Sequence, residues 1–188
     1  MDQTTSQTGI WQTIRAALTL NAELYENAQN TPKTHRLAFT IVLLAALSRA
    51  IGSLSILLLT RTTLLASILA LSLDILSVIV SYYVWTFTIW KVGRWLRTDS
   101  PSYRALLSPI GFAYAPQVLN FLTLIPLLGR SIELMLAVWT LLAVIVAVRQ
   151  ALDVRTRRAA IICLLCFPLI QVVTGVIQAV QQLFVRTV

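Results

Sequence analysis

Arg49 and Asp74 each interrupt a long aliphatic run, where an apolar chain does not readily hold a charge. In hydrocarbon a lone charge costs roughly 2.5–3.5 kcal/mol on insertion scales, and opposite charges at one depth relieve each other. Arg49 lies twelve residues before Arg61 and Asp74 thirteen after it, with Thr60–Arg61 reading as a tight turn. An antiparallel hairpin about that turn holds both roughly 15–20 Å from it, near the centre of a bilayer. An intramembrane ion pair, Arg49 with Asp74, is therefore expected. The competing reading is an Arg49 that reaches up to the headgroups and an Asp74 that is simply protonated.

Neutral polar residues form a second group. Gln171, Gly175, Gln178 and Gln182 recur at offsets of four, seven and eleven, a polar stripe along one helix face. Gln117 and Asn120 stand among Pro109, Pro116 and Pro126. Such groups either line a pathway or bind helices to one another through hydrogen bonds worth about 0.6–2 kcal/mol each. Helix packing is the favoured reading.

Familiar catalytic constellations do not form. The one histidine, His35, cannot build a multi-histidine metal site. There is no GxxxxGK[ST] loop, and the six glycines are scattered. No serine or cysteine has a recognisable base nearby in sequence. Cys163 and Cys166 sit in an apolar run and read as small core hydrophobes. The expectation is a protein that is not an enzyme and has no metal and no cofactor.

The elements that position these residues follow from composition. Hydrophobic residues make up 57% of the 188 and charged ones 12%, against roughly 25% charged in a soluble domain. This chain lacks the polar surface to cover a water-soluble globule. Its partner is a lipid bilayer. The formal charge of +8 comes mostly from Lys and Arg flanking apolar runs, as helix anchors do, so no nucleic acid is expected.

Residues 1–36 read as a cytoplasmic segment carrying an amphipathic helix over 9–29. Trp11, Ile14, Leu18 and Tyr25 make its apolar stripe, with Gln12, Arg15, Thr19 and Glu26 off it. It either lies in the membrane interface or packs on the bundle. Residues 37–188 hold five apolar runs, at about 37–59, 62–90, 105–128, 132–148 and 159–185, each near the 20 residues a crossing takes. Three prolines kink or break the third, and Pro168 kinks the fifth. The fold class is all-α, a transmembrane bundle of five spans preceded by the amphipathic helix.

Charge sets the orientation. With the N-terminus inside, the inner face collects Arg15, Lys33, Arg36, Lys91, Arg94, Arg97, Arg104, Arg149, Arg155, Arg157 and Arg158. The outer face has Arg61, Arg130 and Arg186. Eleven against three gives N-terminus in and C-terminus out. The outer turns are too short to hold a macromolecule, so partners are met from the cytoplasm or through the bundle's sides.

Residues 31–160 also resemble a known family. The stretch Gly111-Phe112-Ala113-Tyr114-Ala115-Pro116-Gln117-Val118-Leu119 is similar to the Gly-Tyr-x-x-x-Pro-x-x-Leu segment in the third span of Yip1-domain membrane proteins. Thr31-Pro32-Lys33, Ile125-Pro126-Leu127-Leu128-Gly129, Trp139 and Ala147-Val148-Arg149-Gln150-Ala151-Leu152 resemble the bacterial branch in the same order. Phe112 stands where the family usually has tyrosine. The Asp-Leu-Tyr-Gly-Pro motif of eukaryotic members, associated with prenylated Rab-type GTPases, is absent, so that partner is not carried over. The resemblance implies a five-span bundle whose eukaryotic relatives act in membrane trafficking and shaping.

These readings lead to a non-catalytic scaffold or organising protein of the bacterial inner membrane. It works alone, with other copies, or as an accessory subunit of a larger membrane complex. The alternative is a small transporter or channel built on the proline-broken third span and the polar stripe of the fifth. Geometry discriminates: polar groups converging on a cavity near the midplane favour transport, and paired, dry ones favour a scaffold.

Overall fold

The computed structural model describes residues 9–28, 32–59, 63–95, 102–125 and 127–187, without the side chains at 27, 32, 55–59, 169, 171, 173, 174, 178 and 180–187. Among the described residues seven α-helices follow in order: α1 (Ile10–Leu18), α2 (Ala22–Asn27), α3 (Pro32–Leu59), α4 (Leu64–Trp95), α5 (Tyr103–Phe112), α6 (Gly129–Ala151) and α7 (Thr156–Thr187). A 3-10 helix, Ala115–Leu124, lies between α5 and α6.

Among the described residues three helices are long and apolar enough to cross a membrane: Lys33–Leu54 within α3, and all of α4 and α6. A fourth crossing is available if Tyr103–Phe112 and Ala115–Leu124, bent by 42° at their junction, act as one broken span. The cause of the bend is local. Pro109 lies inside α5 and Pro116 enters the first turn of the 3-10 helix, so each removes a backbone donor and its ring crowds the preceding turn. The fifth expected span falls within α7, whose 32 residues are long enough to cross.

The outside of the bundle is apolar. Phe39, Leu43, Leu47 and Ile51 of α3 recur every four residues and are exposed, as are Leu65, Leu69 and Leu76 of α4 and Val138 and Leu142 of α6. Inside, small residues let the backbones approach: Ala38, Ala45, Ser48 and Gly52 of α3 are buried. α3 packs against α4, α5 and the 3-10 helix, while α7 closes the bundle against α4 and α6.

The amphipathic segment is two helices instead of one. Leu20 takes φ 55°, and the amides of Leu20 and Asn21 bond back to the carbonyls of Ala17 and Ala16 at 3.1 Å each. That bond pair ends a helix in a Schellman turn. Asn21 then starts α2 by accepting from the Glu23 amide at 3.0 Å. Ile14, Ala17 and Tyr25 are buried in the same core as the spans, whereas Trp11 is 82% exposed.

Candidate functional site

The bent third segment is locked to α3 by close backbone approach. A Cβ on Gly111 would stand 2.8 Å from the Ala38 Cβ, and one on Gly52 would stand 2.7 Å from the Asn120 carbonyl oxygen. Both positions therefore need glycine for want of space. Ser48 Oγ donates to the Val118 carbonyl at 2.6 Å and accepts from the Phe121 amide at 2.8 Å, meeting backbone groups on the 3-10 helix. The Gln117 amide donates to Thr140 Oγ1 of α6 at 3.0 Å, and Asn120 Nδ2 donates to the Gln117 carbonyl oxygen. Polar side chains of the third segment thus tie α6 to the bundle.

Aromatic packing holds the other side. Tyr114 is buried, edge-on to Tyr82 at 5.8 Å and to Trp85 at 6.2 Å. Tyr82 donates its hydroxyl to the Leu107 carbonyl at 2.8 Å, two residues before Pro109. Trp85 differs. It is 5% exposed, and its buried Nε1–H has no acceptor among the described residues. A buried donor left unmade costs about 1–3 kcal/mol, so that group is exceptional among buried indoles.

The charges are arranged otherwise than the hairpin count predicts. Arg49 Nη2 lies 3.8 Å from Glu133 Oε1 of α6, and Arg130 Nη1 lies 3.1 Å from the other oxygen, Oε2. Asp74 is buried on α4 and accepts from Ser53 Oγ. Among the described residues Arg49 and Asp74 form no ion pair. The reason is register. Ser53 and Asp74 stand level about a midpoint at 63.5, half the sum of their numbers, where Thr63 caps α4 through the Ala66 amide at 3.3 Å. The sequence count put the midpoint two residues earlier, at 61.5, and that shift moves Asp74's partner on α3 by one helical turn, from Arg49 to Ser53. Arg49 is left facing α6.

These groups surround a partly open cavity of about 390 Å³ between α3, α4, α6, α7 and the 3-10 helix. Its wall includes Arg49, Arg130, Glu133, Trp85, Tyr114 and Gln117, with Leu134, Phe167 and Ile170 supplying apolar surface. Of the residues singled out in the sequence, Arg49, Tyr114, Gln117 and Gly175 line it. Gly111 and Pro116 are buried in helix packing instead. Asp74 is not in the wall. The side chains of Gln171, Gln178 and Gln182, and Pro126 altogether, lie outside the described residues.

Glu133 and Trp85 are among the members of this wall that had no sequence argument behind them. Glu133 is the second residue of the fourth apolar run, at its edge and three residues from Arg130, and so is a weaker intramembrane signal than Asp74. Trp85 lies on the inward face of α4, with Asp74, Ser77, Val78 and Ser81.

A helical bundle with lipid-facing apolar helices and inward polar groups is a membrane protein. Residues 17–177 match the Yip1 domain, and the chain belongs to the Yip1-domain family. No curated protein and no solved structure matches it.

Proposed function

We propose that this chain is a non-catalytic organising protein of the bacterial inner membrane, acting as a scaffold or as an accessory subunit bound laterally to a larger complex. In this reading it crosses five times, with its N-terminus in the cytoplasm and its C-terminus outside. The observation that carries it is the use of polar side chains as struts. Ser48, Gln117 and Thr140 tie α3, the 3-10 helix and α6 together at 2.6–3.0 Å, which is helix adhesion in lipid. The eleven-to-three bias of basic residues supports the orientation.

A second reading, a small transporter or channel, is favoured by one observation: Arg49 and Gln117 do converge on a cavity. Proteoliposomes decide between them. A scaffold leaves vesicles loaded with phosphate or with a small cation as tight as protein-free ones. A flux that appears with the wild-type chain and disappears with Arg49→Gln would overturn the scaffold reading.

A further inference from the structure

The last turns of α4 carry an aromatic and basic stripe on the outside of the bundle. Tyr83, Phe87, Trp90 and Arg94 follow one another at four, three and four residues, the spacing of one helix face, with Lys91 beside them. Tyr83 is 42% exposed and Phe87 52%, and Lys91 and Arg94 are exposed as well. Tyr103, at the start of α5, stands edge-on to Phe87 at 6.5 Å and to Trp90 at 6.2 Å, and Phe87 lies 5.9 Å from Trp90. The Arg94 guanidinium sits 5.0 Å over the Trp90 ring, within cation–π range. Three rings from two helices thus form a patch with a cation seated on it.

Depth fixes what surrounds this patch. Counted from Leu64 at 1.5 Å per residue, Phe87 lies about 35 Å along α4, Trp90 about 39 Å and Arg94 about 45 Å. A bilayer with its headgroups spans about 40–45 Å around a hydrocarbon core of about 30 Å. Phe87 and Trp90 therefore stand where hydrocarbon gives way to headgroups, and Arg94 stands among the headgroups.

We propose that this patch binds the head of an anionic phospholipid, with Arg94 and Lys91 meeting the phosphate and the rings bearing the glycerol and the upper acyl chain. Charge selects the lipid. Residues 91–104 hold Lys91, Arg94, Arg97 and Arg104 against one acid, Asp99, and each cation near a membrane surface favours anionic lipid. The patch already holds its own cation, which turns away the choline of a zwitterionic head. A guanidinium presents a planar fork of donors that takes two phosphate oxygens at once. Seating it on Trp90 removes part of the freedom it would otherwise lose on binding.

The test is a lipid titration of the full chain in a neutral detergent, which has no sidedness and so stands apart from the orientation proposed above. The probes are phosphatidylglycerol and phosphatidylcholine with the same chains, read by thermal stability. Phosphatidylglycerol should stabilise the chain at about a fivefold lower mole fraction, and Arg94→Gln should remove that advantage. Arg155→Gln, which takes the same charge from the α6–α7 turn, should leave it in place. Trp90→Leu keeps every charge and should still weaken phosphatidylglycerol binding about threefold. Combined with Arg94→Gln it should lose little more than Arg94→Gln alone, because the two act as one unit. Brominated acyl chains locate the lipid. Trp90 emission, taken as wild type minus Trp90→Phe, should be quenched by phosphatidylglycerol at the mole fractions that stabilise. Equal effects of the two lipids, equal losses in Arg94→Gln and Arg155→Gln, an unquenched Trp90, or full binding in Trp90→Leu would each overturn the proposal. So would a dimer in detergent that Arg94→Gln dissociates and that neither lipid affects, since a second copy would then cover this face.

Discussion

Arg49 and Glu133 face each other at 3.8 Å between α3 and α6, and the same carboxylate holds Arg130 at 3.1 Å through its second oxygen. Glu133 therefore serves two cations, a close one on its own helix and a looser one from the neighbouring span. The looser contact is the one that joins two spans. It also leaves the Arg49 guanidinium with unused donors on the cavity side.

That arrangement predicts which residues are energetically coupled. Arg49→Leu and Glu133→Leu should show a coupling of about 0.6 kcal/mol in a double-mutant cycle, the usual size for polar contacts in membrane bundles. Arg49→Leu and Asp74→Leu should add within about 0.5 kcal/mol. Denaturant unfolding in mixed micelles measures both. A coupling confined to the Asp74 cycle would mean that α3 is rotated relative to the arrangement described above.

Much of the scaffold was legible in the sequence, because an aliphatic run of 20 residues has few other uses. The runs at 37–59, 62–90 and 132–148 overlap Lys33–Leu54, Leu64–Trp95 and Gly129–Ala151 closely, and the prolines marked the bend. What was not legible depends on helix rotation. The face that α3 turns toward α6 is set by Ser48 and Gly52 docking on the 3-10 helix, a contact between residues some 70 positions apart. A depth count along one hairpin carries no such information, so it misassigned Arg49's partner. Leu20 was hidden for another reason. Leucine disfavours φ 55°, so the residue type gives no sign of a Schellman turn, and only Asn21 after it marks a helix start.

The glycines separate by position. Gly52→Ala places a methyl 2.7 Å from the Asn120 carbonyl oxygen, and Gly111→Ala places one 2.8 Å from the Ala38 Cβ. Overpacking of this kind costs about 1–3 kcal/mol, and both variants should melt at lower temperature in detergent. Gly175→Ala meets nothing within 4 Å and should be neutral or slightly stabilising, since alanine is the better helix former. Equal losses at all three sites would mean that α5 and the 3-10 helix do not approach α3 this closely.

Topology fusions test the crossing number. In the five-span reading, three full spans and one bent span return the chain to the side on which it began, and α7 then decides where the C-terminus lies. A reporter active only outside the cytoplasm, fused after Val188, should give signal, and one fused after Arg158 should not. Signal at neither site means that α7 does not cross, which reduces the bundle to four spans.

Tyr25 holds the N-terminal helices on the bundle, and its ionisation supplies the last test. The side chain is fully buried, and its hydroxyl donates to the Ala17 carbonyl at 3.3 Å. Tyr25→Ala should cost about 3 kcal/mol of local stability through the cavity it leaves. Tyr25→Phe should cost about 1 kcal/mol, the value of one neutral hydrogen bond. Trypsin cleavage at the exposed Arg15 at neutral pH should accordingly be fast in the alanine variant and nearly as slow as wild type in the phenylalanine variant. Burial also pushes the phenol's pKa well above its ordinary range, because the charged form loses its water. The neutral form is the one that folds, so this contribution is complete below the unfolded value near 10. It is lost as pH rises from there toward the folded value, where the detached chain ionises first. The phenolate absorbance of wild type minus that of Tyr25→Phe isolates this one group. Its titration should begin only above about pH 10 and should coincide with release of α1 and α2. A Tyr25 that titrates at the ordinary value, with the segment still protected from trypsin, would mean that the ring faces solvent and that these helices are held by other contacts.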